Sequence, residues 1–262
     1  MSKNFSFFVL LFLLFVQAAC VQENKESVWD NYPVGTIHFI DKDSLSKGSQ
    51  LYHSIITDPQ NFIAEKARMV LETLYYSPAD SIVPVNNIYY SLENIEGVSA
   101  KGGSHGDIAI WYSTKHIERS FANNDTSKLL YETTGVLLHE LTHGYQLEPQ
   151  GIGNYGNNRV FWAFIEGMAD AVRVANGYFT DADRPEGGNY MDGYRTTGFF
   201  LYWLQQNKDP EFLKKFNRST LEVIPWSFDG AIKHVLGDNC QIDALWDEYQ
   251  KDLAEKRKSI KG

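Results

Sequence analysis

The sequence predicts an α+β protein, with a small mixed sheet in its N-terminal half and a helical C-terminal half. Three observations predict it. Runs rich in β-branched and aromatic residues all fall before residue 114. From Asp125 onward, apolar residues recur at helical spacing, interrupted by short polar or glycine-rich stretches. The 262 residues, 43% hydrophobic and 22% charged, suit one sizeable globular domain without an internal repeat.

Residues 1–20 read as a secretory signal peptide. Lys3 gives a positive start, Phe5 to Val16 is apolar apart from Ser6, and Ala18 and Ala19 are small. The run is too short to span a membrane. Val16-Gln17-Ala18-Ala19-Cys20 resembles a bacterial lipoprotein box, in which Cys20 becomes the lipidated N-terminus. Gln17 departs from the usual aliphatic residue, and ordinary cleavage near Ala19 followed by secretion is the alternative. The expected organisation is therefore an exported, lipid-anchored protein, periplasmic or at the cell surface. Residues 21–33 form a polar tether and residues 34–262 the functional domain.

Within the domain, strands are expected at 35–41, 87–92 and 107–113, with a short one at 98–100. A helix is expected at 58–77. Further helices follow at 127–147, ending before Pro149, and at 159–176, closed by Gly177. The remainder read as 190–206, 210–217, 228–236 and 242–258.

A net charge of −9 with no basic face excludes nucleic acid as a partner and leaves the Cys20 lipid as the only membrane attachment. The cluster Lys256, Arg257, Lys258 and Lys261 suits a helix C-terminus. With Cys20 lipidated, Cys240 has no disulfide partner, and it reads as packing near a helix start rather than as a nucleophile. A monomer is expected.

The chemistry centres on Val136 to Gln146, VLLHELTHGYQ, which contains HExxH. On a helix, residues four apart share a face, so His139 and His143 can turn imidazole nitrogens to one point at the ~2.0–2.1 Å that zinc requires. Glu140 lies beside that face, placed to take a proton from a metal-held water. At this composition the pattern arises by chance in roughly one sequence in a hundred.

A catalytic zinc site needs a third protein ligand and an open position. The HExxHxxGxxH continuation is excluded, because Gln146 and Pro149 stand at its glycine and last histidine. Glu148 falls roughly 140° around the helix from the ligand face and reads as a solvated acid. His105 and His116, beside the 107–113 strand, read as surface residues. Glu166 is the better candidate, an acid on the next helix among Phe161, Trp162, Phe164, Ile165 and Met168, where burial demands a partner. Asp170, one turn later, suits the spare N–H of a ligating histidine. The bland reading of both acids is a surface ion pair with Arg173.

HELTHGYQ, FIEGMADAVR, GYRTTGFFLYWL and IDALWDEY together resemble the basic secretory protein family, read as peptidases of plants and bacteria. The resemblance spans about residues 35–249 and is strongest over 136–204. It implies a zincin fold of the gluzincin type, one zinc ion at His139, His143 and Glu166, and Glu140 as general base and acid. It also implies a cleft lined by an antiparallel edge strand, assigned to 107–113, that pairs with a protein or peptide substrate. The chain is acidic, so nothing tied to a basic surface carries over. The developing oxyanion needs a second donor. Tyr194 is the first choice because it opens the helix after that of Glu166; Tyr190 is the second, and Arg195 is placed to clamp a substrate carboxylate. The rival reading is a non-catalytic surface lipoprotein that keeps the fold and binds glycans or glycoproteins through its aromatic-rich helical half.

Overall fold

The computed structural model describes residues 27–121 and 124–261. The signal peptide, Cys20 and the first half of the expected tether lie outside the described residues. The chain runs β1 (Thr36–Asp41), α1 (Lys47–Ile55), α2 (Pro59–Leu74), β2 (Asn87–Glu93), β3 (Ser99–Gly102), β4 (Asp107–Ser113) and α3 (Thr114–Ser120). It continues as α4 (Thr126–Tyr145), α5 (Arg159–Ala175), α6 (Tyr194–Asn207), α7 (Phe212–Glu222), α8 (Phe228–Leu236) and α9 (Ile242–Lys261). This is a mixed α+β fold with one four-stranded sheet and a helical majority.

Short polar side chains fix where the helices start. Asp58 caps α2 by accepting from Asn61 N at 3.0 Å, with Pro59 in the first turn. Asp125 accepts from Lys128 N at 2.9 Å to open α4. Asn158 accepts from Val160 N and Phe161 N to open α5. Helices α1 and α3 were not expected; at nine and seven residues, both are too short for a helical period to stand out. The expected helix at 190–206 starts later, at Tyr194, because residues 187–193 form a turn-rich loop.

The sheet order is β1-β2-β4-β3, with β1, β2 and β4 parallel and β3 antiparallel to β4. One assignment is thereby corrected. Residues 107–113 form an interior strand, paired on both sides, and the antiparallel edge is β3. Four residues between glycine-rich turns carry too little alternation to look like a defining strand.

Ile88, Tyr90, Leu92, Ile108, Ile110 and Tyr112 turn to the buried face, over which α2 and α4 pack. The same core continues into the helical half, where Phe164, Phe216, Trp226 and Phe228 pack ring against ring. Helices α5 and α6 make the most intimate helix pair. A Cβ on Gly198 would come within 2.9 Å of Asp170 Cβ and of the Ala171 backbone, so only glycine permits this approach. Within the described part of the expected tether, residues 27–33, Trp29 and Tyr32 pack against the core while the other residues are mostly exposed; Trp29 is only 2% exposed. Its indole adds apolar area that a polar composition concealed.

Candidate metal centre

Helix α4 carries His139, Glu140 and His143, and α5 returns beside it with Glu166 and Asp170. The five groups line a cleft of about 850 Å³, whose opposite wall is the 98–103 segment containing β3. Tyr155, Tyr194 and Arg195 also line it.

Among the described residues, His139, His143 and Glu166 are the group whose donor atoms could jointly hold a metal ion. His139 Nε2 lies 3.1 Å from His143 Nε2 and 3.3 Å from Glu166 Oε2, and His143 Nε2 lies 3.7 Å from the same oxygen. Donors 2.0–2.1 Å from a tetrahedral ion stand about 3.3 Å apart, so the triangle has the size that such an ion requires. The two imidazole nitrogens and Glu166 Oε2 converge on one point, where a cation would satisfy all three donors at once.

Each donor is held from behind. His139 Nδ1 lies 2.7 Å from Asp170 Oδ1, the expected support. Tyr155 donates its hydroxyl to Glu166 Oε1 at 2.6 Å, leaving Oε2 for the cluster. His143 Nδ1 lies 3.0 Å from the Gln146 amide nitrogen, while Gln146 Oε1 is buried without a partner among the described residues. Turning that amide over sets its oxygen against Nδ1–H, the tautomer that frees Nε2 for a ligand.

The electrostatics follow from this crowding. Burial opposes charge on His139, but Asp170 and Glu166 outweigh it and raise the imidazole to about 10. Burial, with charged His139 beside it, pushes His143 down to about 3. Burial would also raise Glu166, yet contact with His139 and His143 holds it below the ordinary range. Glu140 is 8% exposed, and burial keeps its carboxyl above the usual value despite His139 and Ser99.

The Tyr194 ring stacks on that of His139, centroids 6.0 Å apart and planes at 11°. Its phenol is raised by burial and then by the Glu166, Asp170 and Glu140 carboxylates, so it remains a donor. Tyr194 has φ of 42°, an uncommon conformation for a bulky residue, and Gly193 before it has φ of 73°. A Cβ on Gly193 would lie 2.5 Å from the Trp162 ring, so this turn and the Trp162–Tyr194 edge contact are built together.

Other candidates fall elsewhere. Tyr190 packs on Phe200, Phe228 and Trp246, outside the cleft. His105 sits exposed in a turn, and His116 pairs with Glu132 at 3.1 Å. Cys240 is half-buried, with Sγ 3.5 Å from Leu236 O. Arg173 pairs with Glu132 at 2.6 Å, not with Glu166 or Asp170. Glu148 lines the cleft but is exposed.

Gln146, Tyr155 and Lys101 were missed. Gln146 sits three residues after His143, a helical spacing that could have exposed it. Tyr155 lies in a Gly/Asn loop with no periodicity to read.

The BSP family model, described as peptidase of plants and bacteria, matches residues 34–249, and the chain belongs to that family. Searches of curated proteins and of solved structures found no match.

Proposed function

We propose that this chain is a zinc-dependent peptidase of zincin architecture, with His139, His143 and Glu166 as ligands and Glu140 as general base. The carrying observation is the triangle of 3.1, 3.3 and 3.7 Å between the three donors, with the Glu140 side chain beside it. Two imidazoles, one carboxylate and an open cleft favour zinc among the common divalent ions.

When bound there, zinc supplies a Lewis acid toward the scissile carbonyl and makes a water acidic near neutral pH. Glu140 takes the proton from the attacking water and returns it to the leaving amine nitrogen, a task suited to a carboxyl raised by burial. Tyr194 donates its hydroxyl to the oxyanion as charge develops. The outer side of β3, with no further strand beside it among the described residues, offers backbone groups to an extended substrate. Arg195, at the rim, can meet a substrate carboxylate. Asp170 holds the His139 tautomer. The proposal extends to export: residues 1–20 direct secretion and Cys20 carries the lipid, which the intact mass of wild type and Cys20→Ser would show.

The test combines metal content by mass spectrometry with cleavage of a broad peptide library. Wild type is expected to carry one zinc per chain, Glu166→Ala to lose it, and Glu140→Gln to keep it while losing cleavage. A wild-type chain that holds zinc and cuts nothing would favour the glycan- or glycoprotein-binding alternative. A chain that holds no metal would end the proposal.

A further inference from the structure

The cleft carries a cation that the mechanism above leaves unused. Lys101 lies on β3, and two-residue alternation puts it on the face it shares with Ser99. Their cross-strand partners are Ile110 and Tyr112, both on the buried side of the sheet. Lys101 therefore leans over α4 and lines the cleft together with Glu140, His143 and Glu148.

Among the described residues, no hydrogen bond or ion pair reaches its ammonium; Glu148 and Glu140 act on it only through space. Burial lowers its pKa, with those two glutamates working in the opposite direction. The other cations of the cleft differ. Arg173 is committed to Glu132 Oε2 at 2.6 Å and to the Tyr178 carbonyl at 3.0 Å. Arg195 is exposed at the rim, its guanidinium 5.9 Å from the Phe179 ring. Lys101 alone combines partial burial with an unpaired charge, and a half-desolvated ammonium gains most from a carboxylate arriving from outside.

We propose that Lys101 is a specificity residue that seats a substrate carboxylate in the β3 wall of the cleft, so that the preferred peptides are acidic near the cleaved bond. This inference rests on the peptidase reading. The carboxylate has two sources, an Asp or Glu side chain or the terminal carboxylate of the peptide, and the chemistry at Lys101 is the same for both.

The experiment compares short fluorescein-labelled peptides in matched pairs. One set exchanges Asp or Glu for Asn or Gln at each position, and the other exchanges a free C-terminus for its amide. Binding is measured to the zinc-loaded Glu140→Gln chain, and kcat/KM with Glu140 intact. The acid member of a pair is expected to win by about tenfold, and the ratio to fall to near one in Lys101→Met, which keeps the apolar stem. Lys101→Glu should turn the preference toward lysine-containing peptides. Thermal unfolding and zinc content of both variants identify any that fail to fold, and the second variant keeps the test open. A preference confined to the free C-terminus identifies the terminal carboxylate; one that follows the side chain identifies the acidic residue. Equal binding of acid and amide forms, or no binding of either, overturns the assignment. A preference that survives Lys101→Met and disappears in Arg195→Gln overturns it too. Acid-selective binding without any cleavage would sink the peptidase reading and leave Lys101 standing.

Discussion

Glu140 and Glu166 are the same residue type in one cleft, and their surroundings divide the work between them. Burial raises both carboxyls, but Glu166 also touches two imidazoles and falls below its ordinary value, while Glu140 stays above its own. One is thereby suited to hold a cation and the other to carry a proton. Two outcomes follow at this scale. Tyr194→Phe keeps the ring that stacks on His139 and removes only the donor. It is expected to lower kcat by roughly 10²- to 10³-fold with zinc content unchanged, measured by steady-state kinetics beside metal analysis. Asp170→Asn and Tyr155→Phe each loosen one donor from behind and should weaken zinc binding by about 10- to 100-fold in a chelator competition. A Tyr155→Phe chain with wild-type zinc affinity would show that its 2.6 Å hydrogen bond to Glu166 plays no supporting part.

At the scale of elements, the centre depends on how closely helices approach. Helix α4 holds both histidines, but Glu166 and Asp170 reach them only because α5 lies between α4 and α6 at close range. Gly198 permits that approach against the backbone of Asp170 and Ala171. Gly198→Leu is therefore expected to destabilise the fold by at least 1–3 kcal/mol, about the usual cost of overpacking, and to weaken zinc binding as well. Denaturant unfolding and metal titration on the same variant would read both. A stability loss with unchanged zinc affinity would mean that α5 yields without moving its two acids. Strand β3 makes the same point differently: it is the shortest strand, yet its place at the sheet edge lets it line the cleft.

For the molecule as a whole, the pairing of Glu132 ties stability to pH, and the proposed metal site would tie it to zinc. Glu132 on α4 receives Arg173 from α5 and His116 from α3, linking three helices. Burial opposes its charge, but these partners bring its pKa down to about 2 from an ordinary 4.5. A carboxylate lowered on folding stabilises the native state fully above its unfolded pKa, and that contribution is lost as pH falls toward the folded one. Melting temperature should therefore drop between about pH 4.5 and 2, and Glu132→Gln, less stable at neutral pH, should show a shallower drop across this window. Metal acts by mass action. If zinc binds only the folded chain, free zinc at about 1,000 times its Kd contributes about 4 kcal/mol, and chelation should lower Tm on the order of 10 °C. Scanning calorimetry with and without chelator checks this; an unchanged Tm would argue against tight binding.

The sequence by itself determined the HExxH spacing, the α+β order of elements, and the candidacy of Glu166 and Asp170. Each depends on local periodicity or on the cost of burying an acid within a short apolar helix, and both are written in neighbouring residues. Only the tertiary structure decided that 99–102 and not 107–113 is the edge strand, that Tyr194 faces the centre while Tyr190 packs away from it, and that Trp29 belongs to the core. It also brought Tyr155, from a loop without periodicity, onto Glu166, and set Lys101 unpaired across the cleft. These are contacts between residues distant in the chain, set by sheet order and helix packing, and no local pattern of polarity encodes them.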